Sequence, residues 1–227
     1  MQRPATTTTT TTTKLLRTMT TTTTTTTSFP RMRFENPAVL VCDMQEKFRP
    51  AIHEFDSIVT TAEKLLKYAR SLPTPIPIHA TTQTRSKLGP TVPSIAELLP
   101  HPPHDKTRFS MVTTQLASSL AAKSSVALVG IEAHICITQT ALDLRDAGHV
   151  PYVLADGVGS CNAWEVGVAL ERLRAERGVV VTSSESWMFE CLGDAAHEGF
   201  GALFGVVKGA VGDTKRVLER LGGGGNR

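Results

Sequence analysis

The sequence lacks the features that mark several classes of protein. Its apolar runs fall well short of the roughly 20 residues that cross a bilayer, so no membrane partner is expected. The formal net charge of +3 is modest and gives little reason to expect a nucleic acid partner. Apolar residues make up 41% and charged residues 20% of the 227 residues, which is typical of globular proteins. This length suits one α/β domain better than two.

Cysteine is also scarce. The four cysteines, Cys42, Cys136, Cys161 and Cys191, are far apart and form no C-x-x-C pair and no zinc-finger spacing. A disulfide framework is therefore not expected. Because the sequence contains no secretory hydrophobic segment, we expect a cytoplasmic protein whose thiols are reduced and available for chemistry.

Acidic residues are absent from the first 34 positions. This segment contains two threonine tracts, Thr6 to Thr13 and Thr20 to Thr27, and cannot build a core. We expect residues 1–34 to be disordered, with a mitochondrial targeting peptide as the alternative because the segment is basic and rich in hydroxyl groups. Residues 35–221 are expected to form one domain, and the glycine-rich residues 222–227 a flexible tail.

Short β-branched runs alternate with segments of helical period along the predicted domain. Helical patterns occupy residues 59–69, 134–147, 163–176 and 197–208. Strands are predicted at Ala38–Asp43, Ile76–Thr81, Ser125–Gly130, Val150–Ala155 and Val179–Thr182, with a weaker one at Lys106–Phe109. The alternation predicts a three-layer α/β/α fold with a mostly parallel, Rossmann-like sheet of about six strands. Ligands of such sheets bind beyond the carboxyl ends of the strands.

Two reactive side chains follow predicted strands and should therefore lie at that edge of the sheet. Asp43 closes the first strand, where it is either a catalytic carboxylate or a cap of the following turn. Cys136 comes after the strand Ser125–Gly130, near the start of a helix whose N-terminus favours the reactive thiolate. The alternative for Cys136 is a buried, inert thiol, which is common for free cysteine.

The remaining candidates are weaker on position alone. Lys106 has the context of an ordinary solvated lysine. Cys42 lies inside a predicted strand and Cys191 in an apolar helical stretch, so both are interpreted as core residues. Cys161 follows a glycine-rich loop and is a candidate to border the site. A redox function is disfavoured, because no resolving cysteine lies close in sequence to Cys136.

Four motifs taken together resemble the isochorismatase-like cysteine hydrolases. They are Ala38–Gln45 (AVLVCDMQ), Lys106–Met111 (KTRFSM), Gly130–Cys136 (GIEAHIC) and Asp156-Gly157 followed by Ser160. The similarity extends over about residues 36–208 and is greatest to the eukaryotic isochorismatase domain-containing branch. Any one motif is weak evidence, but the set in this order is specific.

The resemblance implies a catalytic set of three residues. Cys136 would be the nucleophile, Asp43 the base that takes its proton, and Lys106 the cation that holds the thiolate. The resemblance also implies a cis peptide between Ile131 and Glu132. An oxyanion hole would be formed by the backbone N–H groups of Glu132 and Cys136.

Further expectations concern the pocket, cofactors and partners. Relatives that hydrolyse nicotinamide hold a divalent metal with an Asp-x-His motif, which the stretch Ala80–Arg85 lacks, so we expect no metal and no other cofactor. The resemblance also implies a homo-oligomer and a small-molecule substrate. The candidates to line the pocket are Gln45, Phe48, Gln83, His134 and Ile135.

The function predicted from these residues is hydrolysis of a small amide or a related C–N or C–O bond through a covalent cysteinyl intermediate. The alternative is a non-catalytic or regulatory binding protein that retains the fold, because fold does not fix function. Specificity would reside in loops such as 44–55, 83–104 and 157–163. The sequence gives no rule that converts these loops into a substrate.

Overall fold

Six strands form the central sheet of the protein, whose computed structural model describes residues 30–222. All neighbouring strands are parallel, and their spatial order is β3-β2-β1-β4-β5-β6. The predicted Rossmann-like sheet of about six strands is therefore confirmed. The strands are β1 (Pro37–Cys42), β2 (Ile78–Gln83), β3 (His104–Lys106), β4 (Ser125–Ile131), β5 (Val150–Gly159) and β6 (Val180–Thr182).

Helices cover both faces of this sheet. A 3₁₀ turn at Glu46–Phe48 and a π-helical turn at Ala133–Ile137 follow β1 and β4 respectively. Across residues 30–222, every helix is too short or too polar to cross a membrane. The helices are α1 (Phe55–Ser71), α2 (Arg85–Leu88), α3 (Pro93–Ala96), α4 (Thr114–Ser119), α5 (Thr138–Asp146), α6 (Ala163–Ala175), α7 (Ser184–Leu192), α8 (Phe200–Gly209) and α9 (Val211–Gly222).

Strand β1 contributes to two separate hydrophobic cores. Val39 and Val41 pack with side chains of α1, α7 and α8, whereas Leu40 and Cys42 pack with side chains of α4, α5 and α6. Successive side chains of a strand point to opposite faces, so a strand buried on both faces must be apolar throughout. The uninterrupted apolar run of β1 meets this requirement and gives the three-layer α/β/α arrangement.

The bounds of strand β3 differ from those that we predicted. The predicted strand begins at Lys106, whereas β3 ends there. The ammonium of Lys106 donates to the backbone carbonyls of Arg108 and Phe109 and so folds the following residues into a loop. Strand β2 runs two residues beyond its predicted end at Thr81, because its last residues pair with β3.

Strand β5 extends through a segment that we interpreted as a loop. It continues past Asp156 to Gly159, and its pairing with β4 shifts register between Leu128 and Gly130. The carboxylate of Asp156 is buried and accepts hydrogen bonds from the backbone N–H and the hydroxyl of Ser184 at the start of α7. We interpreted this segment as a loop because it contains a charged residue. The two hydrogen bonds from Ser184 satisfy the carboxylate of Asp156, so the residue can lie in a buried strand.

The packed domain begins before residue 35. The side chain of Phe34 is 6% exposed, and its ring lies 5.0 Å from that of Tyr152 and 5.8 Å from that of Trp187. At the other end, α9 occupies a segment for which we predicted no helix and continues through Gly222. Residues 1–29 and 223–227 lie outside the described residues, so the disordered or targeting segment and the flexible tail stay predictions.

The order of the strands reverses between β1 and β4, which places a crevice beyond their carboxyl ends. Gly130 allows the two strands to converge there. Its φ is +126°, and a Cβ atom at this position would lie 2.1 Å from the carbonyl oxygen of Cys42. Only glycine tolerates both conditions. Asp43 and Cys136 therefore leave their strands on either side of the same crevice.

Candidate active site

A buried ion pair lies at the centre of the crevice. The ammonium of Lys106 is 2.7 Å from Oδ2 of Asp43, and the two side chains are 1% and 2% exposed. The same ammonium donates to Oε1 of Gln83 at 2.7 Å and to the carbonyls of Arg108 and Phe109 at 3.1 and 3.0 Å. A buried charge requires such partners, because unpaired it would cost several kcal/mol. Lys106 is therefore built into the site and is not a solvated surface lysine.

The Asp43 carboxylate is held on its other side by β2. The hydroxyl of Thr81 donates to Oδ1 at 2.8 Å, and the backbone N–H of Asp43 donates to the carbonyl of Thr81 at 3.2 Å. Asp43 has a φ of +52°, a left-handed conformation that aspartate tolerates better than most residues. Both oxygens of the carboxylate accept hydrogen bonds, which fix its orientation in the crevice.

Cys136 lies across the crevice from this ion pair. The sulfur of Cys136, the sulfur of Cys42 and a carboxylate oxygen of Asp43 are all within 4.8 Å of one another. Cys136 belongs to the π-helical turn Ala133–Ile137, which precedes α5, so it comes before the first α-helical turn and not within it. Such π-helical turns occur frequently at functional sites. The structure thus brings together Asp43, Lys106 and Cys136, which are far apart in sequence.

Cys42 belongs to the site as well as to the core. We interpreted it as a core residue, and it is buried, but its thiol also lies 3.5 Å from Oδ2 of Asp43. Burial raises the pKa of the Cys42 thiol well above its ordinary value, and its hydrogen bond with Cys136 and the charge of Asp43 raise it further. Cys42 is therefore a protonated thiol beside the candidate nucleophile.

One hydroxyl group that we did not predict connects the segments that carry Cys136 and Lys106. The Oγ1 atom of Thr140, on α5, donates to the carbonyl of Cys136 at 2.6 Å and accepts from the backbone N–H of Met111 at 2.9 Å. Met111 closes the loop whose carbonyls hold Lys106. Apart from its place one turn after Cys136, nothing in the sequence marks Thr140, because the contact that defines its role is with a distant segment.

The turn before Cys136 carries the peptide between Ile131 and Glu132 in the cis form, as the resemblance implied. The carboxylate of Glu132 accepts hydrogen bonds from the thiol of Cys161 at 2.7 Å and from its backbone N–H at 3.0 Å. The hydrogen bond with Glu132, the partial burial of the thiol and the charge of Glu132 raise the pKa of Cys161 to about 11. Ser160, next to Cys161, accepts from the backbone N–H of Ala133 at 3.0 Å.

The five pocket candidates occupy different settings around this turn. Gln45 is buried, donates to the carbonyl of Gly89 at 2.7 Å and accepts from the backbone N–H of Gln83 at 2.7 Å, so it fixes the loop after β2. Gln83 contacts Lys106 directly. Phe48 is partly buried against the core that includes α1.

The other two candidates, His134 and Ile135, belong to the π-helical turn. The Nδ1 atom of His134 is 3.0 Å from the hydroxyl of Ser160, and Nε2 is 3.5 Å from a carboxylate oxygen of Glu165 on α6. Ile135 is partly buried against the core that contains Cys136. Both residues lie next to the candidate nucleophile in sequence, which is compatible with a pocket role. That role stays a prediction.

The side chains at the centre of the site are shielded from solvent. The side chains of Asp43 and Cys136 are almost buried, with Cys136 6% exposed. A cavity of about 410 Å³ reaches Lys106 from the outer edge of the sheet, between β3 and the start of α4. A different cavity, of about 290 Å³, lies away from this chemistry between α1, α8 and α9, where Lys64 bonds Thr214 at 3.0 Å.

Within residues 30–222, one group of side chains could hold a metal ion: Cys42, Asp43 and Cys136, whose ligand atoms are mutually within 4.8 Å. Two thiolates and a carboxylate would suit a soft or borderline cation. However, the ammonium of Lys106, which is 2.7 Å from the Asp43 carboxylate, already supplies the positive charge at this position. A cation bound to that carboxylate would have to displace the ammonium or tolerate its repulsion.

Comparisons with known proteins place the fold and the motifs in one family. The Isochorismatase domain family matches residues 37–186. Isochorismatase domain-containing protein 2 from Danio rerio is 41% identical over 174 residues, covering 75% of this chain and 86% of that protein. Isochorismatase domain-containing protein 1 from Danio rerio is 39% identical over 174 residues, but the match spans only 59% of that protein.

The solved structures agree. The structure of MAR1 ribonuclease from Caenorhabditis elegans has a TM-score of 0.71 and 34% identity, covering 79% of this chain and 93% of that one. YcaC from Pseudomonas aeruginosa has a TM-score of 0.67 at 22% identity, a likeness of fold alone. The chain therefore belongs to the isochorismatase-like hydrolase family.

Proposed function

We propose that the protein is a cysteine hydrolase that cleaves a small amide, or a related C–N or C–O bond, without a metal. The observation that carries the proposal is the position of the Asp43 carboxylate, which is within 4.8 Å of the Cys136 sulfur and is hydrogen-bonded to the buried ammonium of Lys106. A base within reach of a thiol, and a cation that holds the base, is the arrangement that nucleophilic catalysis by cysteine requires.

The steps follow from these positions. Asp43 takes the proton of Cys136, and the thiolate attacks the electrophilic carbon of the substrate. The backbone N–H groups of Glu132 and Cys136 donate to the oxyanion that forms. The carboxyl group of Asp43 returns its proton to the leaving group, and the same carboxylate then activates the water that cleaves the cysteinyl intermediate. Lys106 keeps Asp43 oriented and offsets the negative charge that passes between it and Cys136.

A small substrate suits the enclosed site better than a polymer does. One structural relative carries the name of a ribonuclease. In this chain the net charge is only +3 and Cys136 is 6% exposed, and both features favour a small substrate over the polyanionic backbone of a nucleic acid. Because that relative is named a ribonuclease, RNA is nevertheless tested as a competing substrate.

The test is a screen of small amides, esters and RNA with the wild type, Cys136→Ala and Cys161→Ala. Turnover of a small amide or ester by the wild type and Cys161→Ala, with none by Cys136→Ala, is expected. Mass spectrometry should detect the acyl group on the peptide that contains Cys136. Cleavage of RNA alone would overturn the proposal.

A binding or regulatory protein is the second candidate. The burial of Cys136, which is 6% exposed, favours it, because a nearly buried site can recognise a small ligand without turning it over. Absence of turnover across the screen, together with rapid alkylation of Cys136 at neutral pH, would support this candidate and contradict hydrolysis.

The metal-independent part of the proposal rests on Lys106, which occupies the cation position beside Asp43. We expect activity to survive extensive treatment with a chelator. Loss of activity that zinc or manganese restores would overturn this part. Elemental analysis of the purified protein provides the control, since a resident metal would be detected whether or not it acts in the reaction.

Self-association is also part of the proposal. On α6, which packs against the turn that carries Cys136, Trp164 is 78% exposed and Val168 is exposed beside it. Exposed apolar side chains of this size commonly mark a protein interface. We expect a homo-oligomer by analytical ultracentrifugation, and we expect Trp164→Glu to shift it toward the monomer. A monomeric wild type would contradict this.

A further inference from the structure

Two of the four thiols lie together in one enclosed site. Cys42 and Cys136 are separated by about half of the domain in sequence, yet their sulfur atoms are within 4.8 Å of each other. Their closeness removes the objection raised above against thiol redox chemistry, which was the absence of a resolving cysteine near Cys136. The two other thiols are elsewhere: Cys191 is in the core that includes α7, and Cys161 is bonded to Glu132.

We infer that Cys42 and Cys136 form a reversible oxidation site, in which a hydroperoxide oxidises Cys136 and Cys42 then resolves the product as a Cys42–Cys136 disulfide. The inference rests on Cys136 being the reactive thiol of the proposed function. It goes beyond that function because it assigns a chemical role to Cys42, which hydrolysis does not use.

The first step consumes the oxidant. The Cys136 thiolate attacks the terminal oxygen of the hydroperoxide, the O–O bond breaks, and the sulfur becomes a sulfenic acid while the peroxide leaves as an alcohol or, from hydrogen peroxide, as water. The proton lost by the thiol ends on that leaving group. Sulfur is oxidised by two electrons and the peroxide is reduced by two. Hydrogen peroxide, the smallest hydroperoxide, suits a cysteine that is only 6% exposed.

The second step forms the disulfide. The Cys42 sulfur attacks the sulfenic sulfur of Cys136, the S–O bond breaks, and the hydroxyl group leaves with the Cys42 proton as water. Burial and the charge of Asp43 raise the pKa of Cys42, so its thiol needs a base in order to attack. The Asp43 carboxylate, 3.5 Å from the Cys42 sulfur, is that base. It can pass the proton to the departing oxygen.

Formation of the bond requires the two sulfur atoms to move closer together. A disulfide has its sulfur atoms about 2.05 Å apart, so two sulfurs that start within 4.8 Å must approach by rotation about their Cα–Cβ bonds. Cys42 is the last residue of β1 and Cys136 lies in the π-helical turn, so neither thiol is in the middle of an α-helix. No comparable partner surrounds Cys161, whose thiol is occupied by Glu132.

The consequence is a catalytic thiol that oxidation inactivates reversibly. A sulfenic acid without a resolving thiol continues to the sulfinic acid, which is not reduced by ordinary dithiols. The disulfide stops this progression, and an external dithiol restores both thiols. Hydrolysis and oxidation would compete for the same Cys136.

The experiment treats the whole protein with a small excess of hydrogen peroxide and maps its peptides without reduction. In the wild type we expect a peptide pair that joins Cys42 to Cys136, a mass loss of two hydrogen atoms, and full return of Cys136 alkylation after dithiothreitol. In Cys42→Ser we expect the cross-link to be absent, Cys136 to be trapped by dimedone, and prolonged treatment to give a sulfinic acid that dithiothreitol does not reverse.

The matched control is Cys191→Ser, which removes a buried thiol outside the site and should behave as the wild type does. Alkylation of Cys136 by iodoacetamide at neutral pH is measured in parallel. If Cys136 alkylates rapidly and is trapped by dimedone in the wild type but no Cys42–Cys136 peptide forms, the inference is overturned while the proposed nucleophile stands. If Cys136 reacts with neither reagent, both fail. The wild-type map decides the matter even if Cys42→Ser folds poorly.

Discussion

Cys136 and Cys161 lie beside the same turn but in opposite electrostatic settings. Cys136 is nearly buried, and the carboxylate beside it, Asp43, is paired with the ammonium of Lys106. Cys161 is exposed, and the carboxylate beside it, Glu132, lies nearest to its thiol and raises its pKa to about 11. The exposed thiol is therefore the protonated and inert one. Under the proposed function, the charges around each sulfur would then matter more for reactivity than its exposure does.

Lys106→Met gives the largest expected effect, because it removes the cation and makes the setting of Cys136 resemble that of Cys161. We expect hydrolysis to be lost and alkylation of Cys136 at pH 7 to slow by tenfold or more. The unpaired Asp43 should also reduce the free energy of unfolding by about 3–5 kcal/mol. Urea unfolding and the rate of iodoacetamide labelling measure the two effects.

Lys64→Met is the control for that variant. Lys64 is also buried, but its partner Glu185 is 3.4 Å away and has a side chain that is 35% exposed, so water can solvate it when the lysine is removed. We expect a loss of about 1 kcal/mol or less and no change at Cys136. Equal effects of the two lysine substitutions would show that Lys106 acts only through stability. Lys106→Arg keeps the charge but not the compact shape of the ammonium. We expect this variant to keep much of the alkylation rate of Cys136 while losing most of the hydrolysis.

Asp43→Asn removes the base while keeping the shape of the side chain. We expect the chemical step to slow by about 10²–10⁴-fold, the usual range for a positioned base. Thr81→Val serves as a milder comparison, because it removes only the hydrogen bond to Oδ1 of Asp43. Single-turnover kinetics with a substrate from the screen separate the chemical step from binding. An unchanged rate in Asp43→Asn would assign the base to another residue.

Gly130→Ala tests whether the convergence of β1 and β4 maintains the site. A Cβ atom would lie 2.1 Å from the carbonyl of Cys42, so the strands must separate, at a cost of about 2–5 kcal/mol. Gly148→Ala is the control, because Gly148 also has a positive φ but no atom within 4 Å of the added carbon. It should cost only about 1–2 kcal/mol. Similar melting temperatures for the two variants would contradict the role of close approach.

Glu132→Gln gives the smallest expected effect. It removes the negative charge beside the thiol of Cys161. The charge and the hydrogen bond that raise the pKa of Cys161 are both weakened, so the pKa should fall from about 11 and more thiolate should be present at any pH below that value. Alkylation of Cys161 at pH 8 should rise about tenfold for each pKa unit recovered. Labelling of Cys161 that stays slow in the variant would mean that Glu132 is not the cause.

Much of the fold could be predicted from local pattern. The apolar run of β1 and the alternation of strands with helices gave the parallel sheet, because a strand buried on both faces has no polar alternation. The errors arose where a side-chain hydrogen bond overrides the pattern of apolar and β-branched residues. Lys106 ends β3 by capturing carbonyls of the loop after it, and Asp156 stays in β5 because Ser184 satisfies its carboxylate.

The candidate site could likewise be predicted only in part from the sequence. The ordered motifs predicted Asp43, Lys106 and Cys136 as a catalytic set before any contact was known. Asp43 and Cys136 come after predicted strands at the ligand-binding edge, whereas Lys106 was predicted from the family resemblance. Thr140 was missed because its role is defined by two backbone groups that come together only in the folded chain. The pairing of Cys42 with Cys136 was missed for the same reason.

The sequence by itself determined the order of the elements and the chemical identity of the groups at the active edge, because both depend on residues that are near one another in the chain. The tertiary structure alone decided which groups share an environment. Strand pairing between β1 and β4 brings the sulfurs of Cys42 and Cys136 within 4.8 Å, and the pairing of β3 with β2 places Lys106 2.7 Å from Asp43. Charge and reactivity depend on distances through space, which a linear sequence does not specify.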